Sequence, residues 1–192
     1  MEHPGHLPDD LPETAGVSDL GKDLTDLIRA ARLCLGQQLP LPALMLLYAG
    51  IDTAGWLAAD DPKDPKRFTE WVDRYLLPRL APNVTALELW AARCGVLHTM
   101  TAESDLSAAH RVRRLSYSWG SGPLDLHDRL AREGFSDTKA AVRVEALIDA
   151  FEAGLNAFSE DLAINHDRRA TVEQRAKLAF HHITEISKSF GT

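Results

Sequence analysis

Apolar residues along most of this chain return at steps of three and four, a spacing that confines it to helices packed side by side. Leu20, Leu24, Leu27, Ala31 and Leu35 make the first stripe, with Ser18 or Asp19 placed to cap its start. After the Pro40-Leu41-Pro42 break, Leu44, Leu47, Tyr48, Ile51 and Gly55 mark a second helix, closed by the turn formers of 60–65. Phe68, Trp71, Val72, Tyr75 and Leu76 give a third helix an aromatic face, and Pro78 and Pro82 limit its length. Asn83 is placed to cap a fourth, whose stripe is Val84, Leu87, Trp90, Ala91 and Cys94 and whose end falls near Thr99. The pattern returns with Leu147, Ile148, Phe151, Leu155, Phe158 and Leu162. A last helix follows on Val172, Ala176, Ala179, Ile183, Ile186 and Phe190.

One stretch departs from this period. Leu115, Tyr117 and Trp119 alternate with Arg114, Ser116 and Ser118, which is the two-residue period of a strand, and Gly120-Ser121-Gly122-Pro123 ends it. A partner strand is expected near 140–144. The expected fold is therefore mostly all-α, a helical bundle with a short β-hairpin or extended insertion around 111–144. Residues 1–18, rich in Pro, Gly, Asp and Glu without apolar periodicity, read as a flexible tail, and 19–192 as a single helical domain.

The 192 residues, 45% of them hydrophobic, suffice for a core without disulfides or structural metal. A net charge of -7 argues against broad, non-specific nucleic-acid binding and leaves room only for a local basic site. Cys34 and Cys94 form no CxxC pair and read as reduced thiols of a cytoplasmic protein. No leader pattern opens the chain. The apolar run 39–51 is broken by prolines and too short to span a bilayer, so no membrane partner is expected.

Candidate chemistry concentrates on the fourth helix. There is no Gly-rich phosphate loop, no nucleophile elbow and no Glu-x-x-His pair, and the adjacent His181 and His182 point apart on a helix, so neither a metal nor a cofactor is expected. Arg93 and His98 lie near the end of an otherwise apolar segment containing the small residues Ala91, Ala92 and Gly95. Five steps of an α-helix set them roughly 140° apart, so sharing a pocket requires the long Arg side chain, fraying near His98, or a second subunit. Such a pair suits RNA cleavage: His moves a proton from the ribose 2′-hydroxyl or to the departing 5′-oxygen, while Arg holds the phosphate.

The segment Arg93-x4-His98 resembles the Arg-x(4 to 6)-His signature of the HEPN superfamily, helical-bundle domains that are often dimeric and often metal-independent ribonucleases. The resemblance implies an endoribonuclease, such as one of a toxin–antitoxin or defence system, with Arg93 and His98 as catalytic pair and two copies meeting across a dimer interface. In many members the residue after the Arg is polar and helps the site; here that supporting position is Cys94. Arg175-x6-His182 fits the looser spacing too, but on a charged terminal helix where both side chains are expected in solvent.

Asp52, after an apolar run, is a supporting candidate, able to orient His98 or pair with Arg93. Arg111, Arg113 and Arg114, beside Tyr117, form the dense basic cluster expected to bind RNA, unless they are the solvated charges of an edge strand. His98 also continues the Leu87, Ala91, Cys94 stripe, so a core histidine is the competing assignment. With it goes a non-catalytic interaction module that meets a regulatory protein partner. A small-molecule sensor, resting on Trp56, Trp71, Trp90 and Trp119, is the third.

Overall fold

The structure, a computed structural model, describes residues 15–80 and 83–178. Helix α1 (Ala15–Gly36) lays Leu24, Ile28, Ala31 and Leu35 against α2 (Pro40–Ala58). It is already helical at Ala15, so Ser18 and Asp19 lie inside it and 15–18 of the tail expected over 1–18 are helix. Most of that tail, 1–14, lies outside the described residues. The prolines at 40 and 42 do not break α2; they sit in its first turn, where the missing N–H costs nothing. The helix thus runs 19 residues, long and apolar enough by composition to cross a bilayer, yet half of that stretch is buried inside the fold. Tyr48, Ile51 and Ala54 are fully buried, and Gly50 lets α2 approach so closely that an added Cβ would stand 2.9 Å from Phe151.

Helix α3 (Arg67–Trp71) passes into a π-helical turn (Val72–Leu76) and a 3₁₀ turn (Leu77–Arg79). Its aromatic face buries as the spacing predicts. The Trp71 ring centroid stands 5.5 Å from that of Tyr75 and 5.7 Å from that of Phe151. Helix α4 (Ala86–Cys94) starts two residues later than expected. Thr85, not Asn83, is its N-cap, in a capping box with Glu88 whose carboxylate returns to the Thr85 N–H at 2.8 Å. Val84 and Ala91 of the expected stripe are buried, joined by Ala86, Leu89 and Ala92, while Leu87 is exposed. Asn83 instead donates its amide to the Ala141 carbonyl.

A short α5 (Asp105–Ala108) leads to strand β1 (Arg114–Ser118), helix α6 (Leu126–Arg132) and strand β2 (Lys139–Arg143). The two strands pair in parallel, Arg114 with Lys139 through Ser118 with Arg143, so the expected hairpin is a crossover unit. Parallel neighbours need a connection long enough to return to the starting end, and α6 supplies it. Helices α7 (Val144–Ile164) and α8 (His166–Ala176) complete a mostly-α fold, with Leu147, Ile148 and Phe151 fully buried. The apolar positions expected beyond 178 lie outside the described residues.

Candidate functional site

The C-terminal end of α4 changes helical type. From Gly95 to Thr99 the chain forms a π-helical turn, closed by Met100 in the left-handed region (φ 55°), whose N–H reaches the Gly95 carbonyl. A π turn bonds residue i to i+5 and widens the helix, so residues five apart lie closer around the axis than the roughly 140° of a regular α-helix. That is how Arg93 and His98 meet: Arg93 Nη1 stands 3.2 Å from His98 Nε2. Neither fraying nor reach alone is needed. A guanidinium can only donate, so in this contact Nε2 accepts.

Gly95 permits the turn. The segment after it doubles back, with the Thr101 N–H on the Gly95 carbonyl, and a Cβ at Gly95 would stand 2.7 Å from the carbonyl oxygens of both Thr101 and Glu103. Thr99 Oγ1 donates to the Gly95 carbonyl and lies 2.7 Å from Thr101 Oγ1, which donates to the Glu103 carbonyl. Ser104 is occupied as the cap of α5.

Arg93 is anchored on its other side. Its Nη2 donates to Asp52 Oδ2 at 2.7 Å, and its guanidinium carbon lies 5.1 Å over the Trp90 ring. The Arg93 side chain is 14% exposed and that of Asp52 21%, so the pair is largely shielded from solvent, whereas His98 is exposed. The core-histidine assignment is overturned: the π turn rotates His98 off the buried stripe. Asp52 therefore does one of its two expected tasks; it holds Arg93 and makes no hydrogen bond to His98. Its second oxygen, Oδ1, is buried with no hydrogen-bond partner, and Arg67 Nη2 is 3.8 Å away. Arg67, from α3, had no sequence signal, because its link to Asp52 and Arg93 exists only through helix packing.

The remaining candidates separate. Cys94 is a free, half-buried thiol with no hydrogen bond to Arg93 or His98. Arg113 turns inward: Nε donates to Glu88 Oε1 at 2.6 Å, and Nη2 to Glu88 Oε2 and the Asn83 carbonyl. Tyr117 joins Tyr48 hydroxyl to hydroxyl at 2.6 Å, and burial pushes both phenols well above their usual range. Arg111 and Arg114 are exposed, with no ion-pair partner among the described residues. The basic cluster is thus two solvated cations and two groups built into the packing.

Arg175 corrects the sequence reading. It is 9% exposed and donates Nη1 to the carbonyls of Trp56 and Leu57, each at 2.9 Å, and to that of Ala59. It satisfies the last carbonyls of α2, which the helix cannot bond itself. His181 and His182 lie outside the described residues. Among the described residues no three His, Cys, Asp or Glu side chains cluster as metal ligands.

Comparisons with protein-family models, with curated proteins and with solved structures found no match to this chain.

Proposed function

We propose that this protein is a metal-independent endoribonuclease of the HEPN type, with Arg93 and His98 as its catalytic pair. One observation carries the reading: an exposed imidazole held 3.2 Å from a guanidinium that is itself fixed by a half-buried carboxylate. That arrangement gives a proton acceptor and an anion-binding group on one surface, with the cation fixed in advance.

In the proposed reaction His98 Nε2 takes the proton of a ribose 2′-hydroxyl as its oxygen attacks the adjacent phosphorus. The phosphorus–5′-oxygen bond breaks, and the leaving oxygen takes a proton from water or from His98 of a second copy. The products are a 2′,3′-cyclic phosphate and a free 5′-hydroxyl. Arg93 turns Nη1 from His98 to the phosphate while Nη2 stays on Asp52, meeting charge as it builds. Arg111 and Arg114 are the cations left to bind RNA backbone; Arg113 and Tyr117 keep structural roles in this reading. Because His98 lies on open surface, a homodimer that joins two such surfaces would supply the enclosed cleft.

The test is cleavage of a fluorescent RNA panel in EDTA by wild type, His98→Ala and Arg93→Ala, each checked for helicity. Cutting by wild type that both folded variants lose supports the ribonuclease. Persistent cutting by folded His98→Ala overturns the assignment. A wild type that cuts nothing favours the non-catalytic interaction module.

A further inference from the structure

The parallel unit β1–α6–β2, with Leu80, Asn83 and Ala146, borders an open cavity of about 530 Å³, built by residues apart from the Arg93–His98 pair. Its size falls within the range of roughly 300–1,000 Å³ typical of small-molecule sites. Ser118 and Arg143, the paired last residues of the two strands, both line it, and Ala141, Val142 and Arg113 carry it back along the strands from their carboxyl ends. Ligands of parallel sheets bind outside those ends, where the connecting loops part.

The walls have two characters. Leu80, Leu126, Val142 and Ala146 supply an apolar body, and Leu124, 83% exposed, lies at the rim. Against them stand three groups with unused hydrogen-bonding capacity. Ser118 is only 4% exposed, yet its hydroxyl has no hydrogen-bond partner among the described residues. Its Oγ is not among the buried unpartnered side-chain atoms, so it opens to the cavity and can donate to a molecule there. Arg113 spends Nε and Nη2 on Glu88 and Asn83, leaving Nη1 without a partner among the described residues. His127, at the start of α6, carries an exposed ring with no partner among the described residues.

The framework is held still. Asn83 is fixed on the Ala141 carbonyl, and Arg143 braces the turn after β1 through the Gly120 and Gly122 carbonyls. No carboxylate side chain lies among the described lining residues. Ser118, Arg113 and His127 line one cavity with spare donors, Glu88 and Glu145 pair with Arg113 and Arg143 from outside the described lining, and the rest of the wall is largely apolar.

We propose that this cavity binds a small organic molecule with an apolar body and one anionic group, a carboxylate or a phosphate. The anion sits against Ser118 Oγ, Arg113 Nη1 and the His127 ring. The apolar body packs on Leu126 and Val142. The site is independent of the ribonuclease reading.

Calorimetric titration of the full chain tests it with 2-naphthoate, 2-naphthyl phosphate and the uncharged 2-acetonaphthone. The expected result is saturable binding of at least one anionic probe, with the uncharged probe at least about tenfold weaker. Whichever anion binds more tightly identifies the headgroup. Ser118→Ala and His127→Ala should each weaken binding roughly two- to tenfold, as loss of one hydrogen bond does. Ala146→Phe fills the cavity from an exposed helix position, should keep wild-type circular dichroism and should abolish binding. His98→Ala should bind like wild type. No saturable binding, equal binding of the uncharged probe, unchanged binding in Ala146→Phe, or indifference to both Ser118→Ala and His127→Ala overturns the proposal.

Discussion

Two carboxylates in this fold gather arginines in similar ways, and they end differently. Asp161, on α7, is fully used: Arg74 reaches Oδ1 at 3.0 Å, while the Tyr75 hydroxyl and Arg168 Nη1 each reach Oδ2 at 2.7 Å. That cluster ties the π turn after α3 to α7 and α8 and leaves nothing over. Asp52 has one hydrogen bond from Arg93, an unpartnered buried oxygen and Arg67 at a distance, and its arginine extends a free edge to an exposed histidine. Saturated clusters hold a fold together; clusters with spare bonding capacity at the surface are where a substrate can enter.

That contrast can be broken experimentally. Under the proposed function the largest effect expected is on catalysis: His98→Ala should lower RNA cleavage roughly 10²- to 10⁴-fold, the usual contribution of a general base, with the melting temperature unchanged. Asp161→Asn should leave cleavage intact. It should instead cost about 2 kcal/mol of stability by urea unfolding, because three charge-assisted bonds lose their ionised acceptor. Asp52→Asn should fall between them, losing about 1–2 kcal/mol and also slowing cleavage, since Arg93 keeps a hydrogen bond there but loses the charge that fixes it. If Asp52→Asn cut at the wild-type rate, Asp52 would be a second structural carboxylate and the contrast would fail.

A smaller effect should come from Thr85→Ala, which removes half of the α4 capping box. It should cost about 1 kcal/mol by urea unfolding, with cleavage per folded molecule unchanged.

The smallest effects are in pH dependence, and they belong to the Asp161 cluster. The hydrogen bond from Tyr75 lowers the Asp161 carboxyl, opposed by burial and reinforced by Arg168 and Arg74. A carboxylate lowered by folding contributes stability above its ordinary 3.8, and loses that contribution as pH falls through the folded value. Tyr75 moves the other way: burial first, then its bond to Asp161, raises it from 10.0 to about 12. Its contribution is complete below pH 10 and lost as pH rises toward about 12. In Asp161→Asn both dependences should shrink in unfolding curves taken across those two windows; unchanged curves would remove Asp161 as their origin.

Much of this was legible from residue order, and the exceptions are instructive. Helical spacing found α2, α3 and α7 because burial of a stripe at steps of three and four is the main requirement on such helices. It misplaced the start of α4 and the exposure of Leu87, though not Val84 or Ala91, since the Thr85–Glu88 capping box fixes where that helix begins and Asn83 is committed to the Ala141 carbonyl. Alternation found β1, but direction of pairing is not carried by a strand's own pattern, and only α6 between the strands makes them parallel. Arg175 looked solvated in a charged helix because the carbonyls it caps belong to α2, more than a hundred residues earlier.

The sequence by itself determined the helical class, the aromatic core and the nomination of Arg93, His98 and Asp52, since these follow from local spacing and residue chemistry. The tertiary structure decided that Arg93 and His98 share a face, because a π turn, admitted by Gly95 under the carbonyls of Thr101 and Glu103, rotates them together. It also decided that Asp52 holds Arg93 with Arg67 nearby, and that Arg113 and Tyr117 are packing groups. Those outcomes depend on which side chains distant in sequence arrive within hydrogen-bonding distance, a matter of helix packing that no local period encodes.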